Sequence, residues 1–251
     1  MKAFQLVVFD MAGTTVRDQH EVEHCFARAA SQTNLIVSDE RILAMQGLSK
    51  RFVFETLWKE QLGQPSPSEL TTKVDHSYQL FTEILENHYR TQPVMPTEGC
   101  LETFDFLRKN NIQIALTTGF YRKVTDIILE KLGWLTGLDE QYIGNNQTVI
   151  QASIASDEVE HGRPQPLMIQ KAMRLLGVTD PTSVVNLGDT PSDLQSGKAA
   201  GVGLNLGVVN GTHTRSQLEI QPHDRLLGSL RDLPALISAS SFQKRANGLS
   251  L

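Results

Sequence analysis

The amino-acid sequence predicts an α/β protein: a doubly wound, Rossmann-like parallel sheet with an inserted helical cap. Four short apolar runs each lead into glycine, aspartate or threonine, as buried parallel strands do before a turn. Segments with helical periodicity lie between the later runs, which is typical of strands joined by crossover helices. The stretch from residue 18 to residue 96 carries helical patterns and no convincing strand, so it is interpreted as an insertion.

The four predicted strands are residues 4–9, 112–116, 184–187 and 202–206. Residues 101–109 fit a helix with apolar positions at Leu101, Phe104 and Leu107. Residues 166–175 begin with prolines and end near Gly177, and residues 193–200 end at Gly201. Proline at the start and glycine after the end are typical of helices. Strand and helix therefore alternate through the second half of the chain.

The insertion is predicted to hold four helices, at residues 21–30, 39–45, 51–62 and 68–89. Its exits lie near residues 17–20 and 92–99, and the second of these is rich in proline and suited to a hinge. Trp58, Phe52 and Phe54 are expected to fill its core. The predicted domains are therefore a core of residues 1–17 and 97–251 and a cap of residues 18–96.

Composition excludes several classes of protein. The 251 residues are 40% hydrophobic and 20% charged, as in ordinary globular proteins. The net charge of −5 argues against a nucleic-acid partner, and the first apolar run reaches Asp10 too soon for a signal peptide or a membrane span. Cys25 and Cys100 cannot build a disulfide framework. We therefore expect a cytoplasmic protein without a membrane or nucleic-acid partner, with a disordered tail at residues 240–251.

Polar residues follow the predicted strands at their carboxyl ends, where ligands bind in open parallel sheets. An aspartate can attack phosphorus and form an aspartyl-phosphate. Carboxylate-bound Mg²⁺ and a guanidinium would supply the positive charge that this attack needs, and backbone amides with a hydroxyl can hold phosphate oxygens. The candidates are Asp10 and Gly13 after the first strand, Thr118 and Gly119 after the second, Asp189 and Asp193 after the third, and Arg163 between the last two.

Four segments, FDMAGTT, LTTGF, GRPQP and GDTPSD, occur in this order at plausible spacings. With them the sequence resembles the haloacid dehalogenase superfamily over essentially the whole chain, including a helical cap after the first strand. The resemblance implies that Asp10 is the nucleophile and that Asp193 is a supporting acid. It also implies that Asp10, the Ala12 carbonyl and Asp189 hold Mg²⁺, and that Thr118 and Arg163 bind phosphate.

Ala12 departs from the pattern of most phosphatases of this superfamily, which carry a second aspartate at that position as general acid. Such an acid contributes about 10²–10⁴-fold to the rate, so a phosphate ester would be a poor substrate. The pattern resembles the phosphonatase-like branch, which cleaves the C–P bond of phosphonoacetaldehyde. In that branch a cap lysine forms a Schiff base, and Lys50, three residues after Gly47, fits it. Its pKa must fall from about 10.4 for the amine to attack.

Three supporting positions also differ from the branch: Val53 replaces a histidine, Phe120 a tyrosine and His20 a cysteine. Two alternatives therefore stay open. One is a small-molecule phosphate-ester phosphatase or phosphomutase-like enzyme in which His20 supplies the missing acid. The other is a phosphate-sensing module without activity. Lys50 could also be a solvated surface charge, and Asp193 could cap a helix. The first cap helix, residues 21–30, is a candidate homodimer face.

Overall fold

Six parallel strands form the centre of the computed structural model, which describes residues 4–246 and the side chains up to residue 239. The strands are β1 Leu6–Asp10, β2 Gln113–Thr117, β3 Ala152–Ile154, β4 Val184–Gly188, β5 Leu204–Val208 and β6 Arg225–Leu227. Their order in the sheet is β3-β2-β1-β4-β5-β6. The chain reverses its direction of travel across the sheet between β1 and β4, which is the doubly wound topology. The predicted fold class is confirmed.

Side chains of β1 show why this sheet is covered on both faces. Val7 and Phe9 belong to one apolar cluster, and Leu6 and Val8 belong to a second. Successive residues of a strand point to opposite faces, so a strand with helices on both sides must be apolar throughout. All five residues of β1 are buried.

The four predicted strands correspond to β1, β2, β4 and β5, with shifts of a few residues at their ends. The prediction missed β3 and β6, which have three residues each and are too short to give a periodic signal. Disorder at residues 240–251 is wrong for 240–246, whose backbone continues the last helix, and residues 247–251 lie outside the described part of the chain.

The insertion after β1 contains four helices, as predicted: α1 Glu21–Gln32, α2 Asp39–Ala44, α3 Lys50–Leu62 and α4 Pro67–Thr91. Ser38 and Ser66 accept hydrogen bonds from backbone amides at the starts of α2 and α4 and so define those starts. The remaining helices are α5 Cys100–Lys109, α6 Arg122–Lys131, α7 Leu167–Leu175, α8 Pro191–Ala200, α9 Arg215–Glu219 and α10 Leu233–Ala246.

Aromatic side chains join the four inserted helices. Phe26 and Phe54 stack with ring centroids 4.2 Å apart, and Phe81 packs against both. Trp58 is buried beside them, as expected, but the same expectation for Phe52 is wrong because that side chain is 55% exposed. This cluster is continuous with one face of the sheet, so the inserted helices and the sheet share a core. Within residues 4–246, no helix combines the length and apolar character needed to cross a bilayer.

The loop before α3 lies directly on the carboxyl edge of the sheet. Gly47 has a φ of +77°, and a Cβ there would lie 2.2 Å from Ser192 Oγ. A Cβ on Gly119 would lie 2.8 Å from the carbonyl oxygen of Gly47. The hydroxyl of Ser192 also donates a hydrogen bond of 3.3 Å to the carbonyl of Gln46. The inserted helices are therefore seated closely over the strand ends.

Candidate active site

A cavity lies where the inserted helices meet the carboxyl edge of the sheet. The loops after β1, β2, β4 and β5 contribute to its wall, and so do α1, α3 and the loop before α3. The lining residues are Asp10, Ala12, Asp18, Val22, Gln46, Gly47, Lys50, Thr118, Gly119, Phe120, Thr190 and Thr212. Strand-end residues and residues of the insertion therefore line one cavity.

Asp10 ends β1 and is buried beside Arg163. Arg163 Nη1 lies 2.5 Å from Asp10 Oδ1, and Nη2 donates to the carbonyl oxygen of Thr117 at 2.9 Å and to its hydroxyl at 2.7 Å. Because β1 and β2 pair with Asp10 opposite Thr117, the guanidinium joins the ends of both strands. The arginine thus fixes the position of a carboxylate that could attack an electrophile.

Asp10, Asp189 and Asp193 bring carboxylate oxygens within 4.8 Å of one another, and all three residues are buried. Burial raises the pKa of Asp10 well above its usual range, although Arg163 opposes the shift. Burial and the charge of Asp193 raise the pKa of Asp189 to about 6. Like charges held this close in a buried site are stabilised by a cation.

One carboxylate oxygen of this cluster has no hydrogen-bond partner. Asp193 Oδ1 is buried and lies 2.8 Å from Arg163 Nη1, at an angle that makes an ion pair but no hydrogen bond. A buried carboxylate oxygen that accepts no hydrogen bond, beside two further carboxylates, is a donor set that hard divalent cations prefer. The cluster therefore fits a divalent metal, with Asp193 added to the predicted Asp10 and Asp189.

Asp189 is held in place by two threonines. Thr14 Oγ1 donates to Oδ1 at 2.9 Å, while the amide and hydroxyl of Thr212 each donate to Oδ2 at 2.7 Å. Gly13 has a φ of +88°, and a Cβ there would lie 2.3 Å from Asp189 Oδ2. The glycine therefore permits the loop after β1 to approach this carboxylate, a requirement that is separate from its predicted contact with phosphate.

Thr118 and Gly119 follow β2 and line the cavity next to Asp10. Thr118 is buried, and its hydroxyl oxygen accepts a hydrogen bond of 3.1 Å from the amide of Phe120. This hydrogen bond leaves the hydroxyl proton free to donate toward an anion in the cavity. Thr118 therefore lies where the sequence predicts a phosphate-binding hydroxyl.

Lys50 begins α3 and lines the same cavity as Asp10. It is only 6% exposed, so the alternative of a solvated surface charge is wrong. Its Nζ donates to Gln46 Oε1 at 2.9 Å. Burial lowers the pKa of Lys50 to about 8, although the charges of Glu23, Asp18 and Asp10 oppose the shift. An amine with this pKa is partly neutral, and hence nucleophilic, near neutral pH.

A family model for haloacid dehalogenase-like hydrolases matches residues 4–201. The chain belongs to this family. It is 28% identical over 217 residues to the phosphonoacetaldehyde hydrolase of Latilactobacillus sakei subsp. sakei strain 23K, an alignment that covers 83% of this chain and 77% of the relative.

Two solved structures resemble the hydrolase in fold. One is a phosphonoacetaldehyde hydrolase-like protein from Oleispira antarctica, with a TM-score of 0.73 and 17% identity over 95% of this chain and 92% of the other. The second is a predicted phosphoglycolate phosphatase from Haemophilus somnus, with a TM-score of 0.71 and 15% identity over 94% and 99% of the two chains. At these identities both support the fold alone.

His20 lies neither in the cavity lining of the hydrolase nor in the cluster of Asp10, Asp189 and Asp193. It precedes α1, its side chain is 65% exposed, and its Nδ1 lies 3.4 Å from Glu23 Oε1. Val53 is buried outside the cavity lining, whereas Phe120 is part of the lining. The three positions that differ from the phosphonatase-like pattern therefore place no ionisable side chain in the cavity wall.

Sequence reasoning missed Asp18, Gln46 and Thr212. Thr212 follows β5, so listing the residues after the fourth predicted strand would have found it. Gln46 lies directly before the Gly47 that was used to find Lys50, so its position offered a weak signal. Asp18 belongs to none of the four motif segments, and only the folded hydrolase shows that it faces the cavity.

Proposed function

We propose that this hydrolase cleaves the carbon–phosphorus bond of a small carbonyl phosphonate, phosphonoacetaldehyde or a close relative of it. One observation carries the proposal: Lys50, a buried amine with a lowered pKa, and Asp10 line one cavity. Ala12 lines the cavity too and offers no proton to a departing alkoxide. The curated relative from Latilactobacillus sakei bears the name of this activity and supports the same choice.

The electronic problem of the reaction is that breaking a C–P bond leaves an electron pair on carbon. The neutral amine of Lys50 adds to the substrate aldehyde and, after loss of water, forms a protonated Schiff base. Asp10 then attacks phosphorus, and the C–P electrons move toward the cationic nitrogen to give an enamine and an aspartyl-phosphate. Protonation and hydrolysis of the enamine release acetaldehyde, and water releases phosphate from Asp10.

Charge repulsion is the second problem, because an anionic carboxylate approaches an anionic phosphonate. Arg163 and the Thr118 hydroxyl would orient the phosphonate oxygens at the ends of β1 and β2. Asp10, the Ala12 carbonyl and Asp189 would hold Mg²⁺, with Asp193 in support. When bound, Mg²⁺ would supply the positive charge against which this attack takes place.

The organisation that goes with this function is a core of residues 1–17 and 97–251 and a cap of residues 18–96 that opens and closes over the site. Cys25 and Cys100 are buried free thiols, which fits the reducing cytoplasm that we propose as its compartment. A homodimer through α1 stays a prediction.

Reductive trapping tests the proposal. With phosphonoacetaldehyde and Mg²⁺, borohydride should leave an ethyl group on Lys50 of the unaltered enzyme, and mass spectrometry of the Lys50 peptide would detect it. In Asp10→Asn the Schiff base cannot be cleaved, so the trapped group should retain phosphorus as a phosphonoethyl adduct. Lys59→Ala is the matched control, because Lys59 lies exposed on the same helix. An equal amount of trapped adduct on the intact Lys50→Ala protein, measured by its total mass, would overturn the proposal.

The same variants distinguish the proposed function from phosphate-ester hydrolysis. A phosphatase that uses only the strand-end residues would keep its turnover of esters in Lys50→Ala. The proposed function predicts that Lys50→Ala loses phosphate release from phosphonoacetaldehyde by about 10²-fold or more, the scale of a lost catalytic group. A panel of phosphate esters, measured with and without Mg²⁺, distinguishes the two.

A further inference from the structure

One ionisable side chain of the cavity has no role in the chemistry described above. Three such side chains appear in the cavity wall formed by the described residues: Asp10, Lys50 and Asp18. Asp10 is the nucleophile and Lys50 the amine. Asp18 lies on the segment between β1 and α1, on the side of the cavity that the insertion forms.

Asp18 lies beside a second carboxyl group, that of Glu21, which acts to raise the pKa of Asp18. Two neighbouring carboxyl groups repel each other when both are ionised, so a proton on one of them is favoured. The backbone holds the pair in register, because the amide of Glu21 donates to Asp18 Oδ1 at 2.9 Å and the amide of Gln19 donates to Glu21 Oε2. The backbone therefore holds the two carboxyl groups side by side at the start of α1.

The surroundings place the proton on Asp18. Burial, the neighbouring carboxyl of Glu21 and the charge of Glu23 raise the pKa of Asp18 well above its usual range. Burial also acts to raise the pKa of Glu21, but Asp18 and backbone amides lower it. The residue of the pair that lines the cavity is thus the one that keeps its acid form.

Schiff-base formation is the step that needs such an acid. After the amine of Lys50 adds to the carbonyl, the oxygen can leave only as water, which requires a proton. Of the positions at which this chain departs from the phosphonatase-like pattern, Val53 and Phe120 carry no acid and His20 lies outside the cavity lining. Asp18 is close enough to Lys50 for its charge to affect the pKa of the amine.

We propose that Asp18 is the general acid of the Schiff-base step and that Glu21 positions it, an inference that rests on the proposed function. The Asp18 carboxyl gives its proton to the carbinolamine oxygen, the C–O bond breaks, water departs and the nitrogen lone pair forms the iminium. When water later adds to the iminium of the product, Asp18 recovers a proton from it. Over one turnover Asp18 neither gains nor loses a proton.

The experiment uses Asp10→Asn as background, because there the Schiff base forms without being cleaved. Phosphonoacetaldehyde is mixed with the enzyme, borohydride is added after increasing times, and the phosphonoethyl adduct on Lys50 is quantified. Adding Asp18→Asn should slow adduct formation by about 10²-fold, the lower end of general-acid effects. Adding Asp39→Asn, an exposed residue in the first turn of α2, should leave the rate unchanged.

The pH dependence of the trapping rate distinguishes a general acid from a residue that only supports the structure. The titratable groups around Asp18 are Glu21, Glu23 and Cys25 on α1, Tyr89 on α4, Asp189 after β4 and Lys50 on α3. In the Asp10→Asn background the trapping rate should show a rising and a falling limb, because the step needs neutral Lys50 and protonated Asp18 together. The falling limb should disappear in Asp18→Asn.

The outcomes separate the two proposals. An unchanged trapping rate in the Asp18→Asn variant, or a falling limb that survives there, overturns the assignment of Asp18 and leaves the proposed function intact. A complete lack of adduct on Lys50 in Asp10→Asn alone overturns both. Thermal unfolding of Asp18→Asn close to that of Asp39→Asn would confirm that slowed trapping is not caused by loss of the fold.

Discussion

The two halves of the cavity wall are built in different ways. On the strand side, Arg163 bonds to Asp10 and to Thr117, and two threonines hold Asp189. On the insertion side, Lys50 is buried with a hydrogen bond to the neutral amide of Gln46. The strand side is therefore a set of mutually fixed charges, whereas the insertion side holds an amine whose protonated form is destabilised.

This difference indicates a division of labour. Fixed charges at the ends of β1 and β4 suit phosphoryl chemistry, in which positioning and electrostatic stabilisation dominate. A buried amine suits recognition of a carbonyl group, because its neutral form is the reactive one. Since the amine lies on the proposed cap, the carbonyl chemistry would depend on closure of that cap, and cleavage at phosphorus would follow only once the Schiff base has formed.

The most severe test of this division is Asp10→Asn. It removes the nucleophile and should lower phosphate release from every substrate by at least about 10⁴-fold, as loss of a catalytic nucleophile commonly does. Steady-state phosphate release measures it. Asp75→Asn is the control, because it loses only an exposed ion pair with Arg51. Residual activity within tenfold of the unaltered enzyme would show that the strand side is not the centre of the chemistry.

The state of the amine can be examined through stability. Folding lowers the pKa of Lys50 from 10.5 to about 8, so the unfolded chain binds more protons between these values. The folded protein therefore gains stability from Lys50 as the pH rises from about 8 to about 10. Lys50→Met removes this dependence. The free energy of unfolding of the unaltered protein should therefore rise relative to that of Lys50→Met by up to about 3 kcal/mol over that range.

Denaturant unfolding at several pH values measures this difference. Lys59→Met, at an exposed position on the same helix, should show no comparable change. A constant difference between Lys50→Met and the unaltered protein across this range would mean that Lys50 is not a destabilised cation, and the contrast between the two halves would fail.

The smallest expected effect concerns Glu86, a buried residue of α4 that contacts α6 and the residue before it. Tyr121 donates to Glu86 Oε1 at 2.9 Å, while Lys123 and Arg90 each lie 2.8 Å from Oε2. Burial acts to raise the pKa of Glu86, but these hydrogen bonds lower it. Glu86→Gln should weaken the contact between α4 and α6 on which the proposed closure would depend, and raise KM for phosphonoacetaldehyde about two- to fivefold, on the scale of a 0.5–1 kcal/mol ion pair.

Comparison with Glu83→Gln, an exposed change on the same helix, controls for the loss of one charge. Because Glu86 lies outside the cavity lining, its replacement should leave trapping of the Schiff base on Lys50 intact. A KM equal to that of Glu83→Gln would show that the contacts of Glu86 do not support closure.

The strand-side residues of the site could be predicted from sequence motifs. Parallel strands place their carboxyl ends along one edge of the sheet, and this does not depend on the length or structure of the connecting segments. Asp10, Thr118, Arg163 and Asp189 therefore followed from order and spacing. The insertion side depends on how four helices pack, which no short motif records. Lys50 was found through a family pattern, whereas Asp18 and the exposure of His20 depend on how the chain enters α1.

The contact between the inserted helices and the sheet has a consequence for how this enzyme could evolve. Gly47 and Gly119 meet through main-chain atoms, and the neighbouring bond from Ser192 ends on the carbonyl of Gln46. Because backbone is common to all residues, the side chains that face the cavity can be exchanged while the two parts continue to meet in the same way. New substrates could thus be acquired by substitutions in the inserted helices alone, without changes at the strand ends.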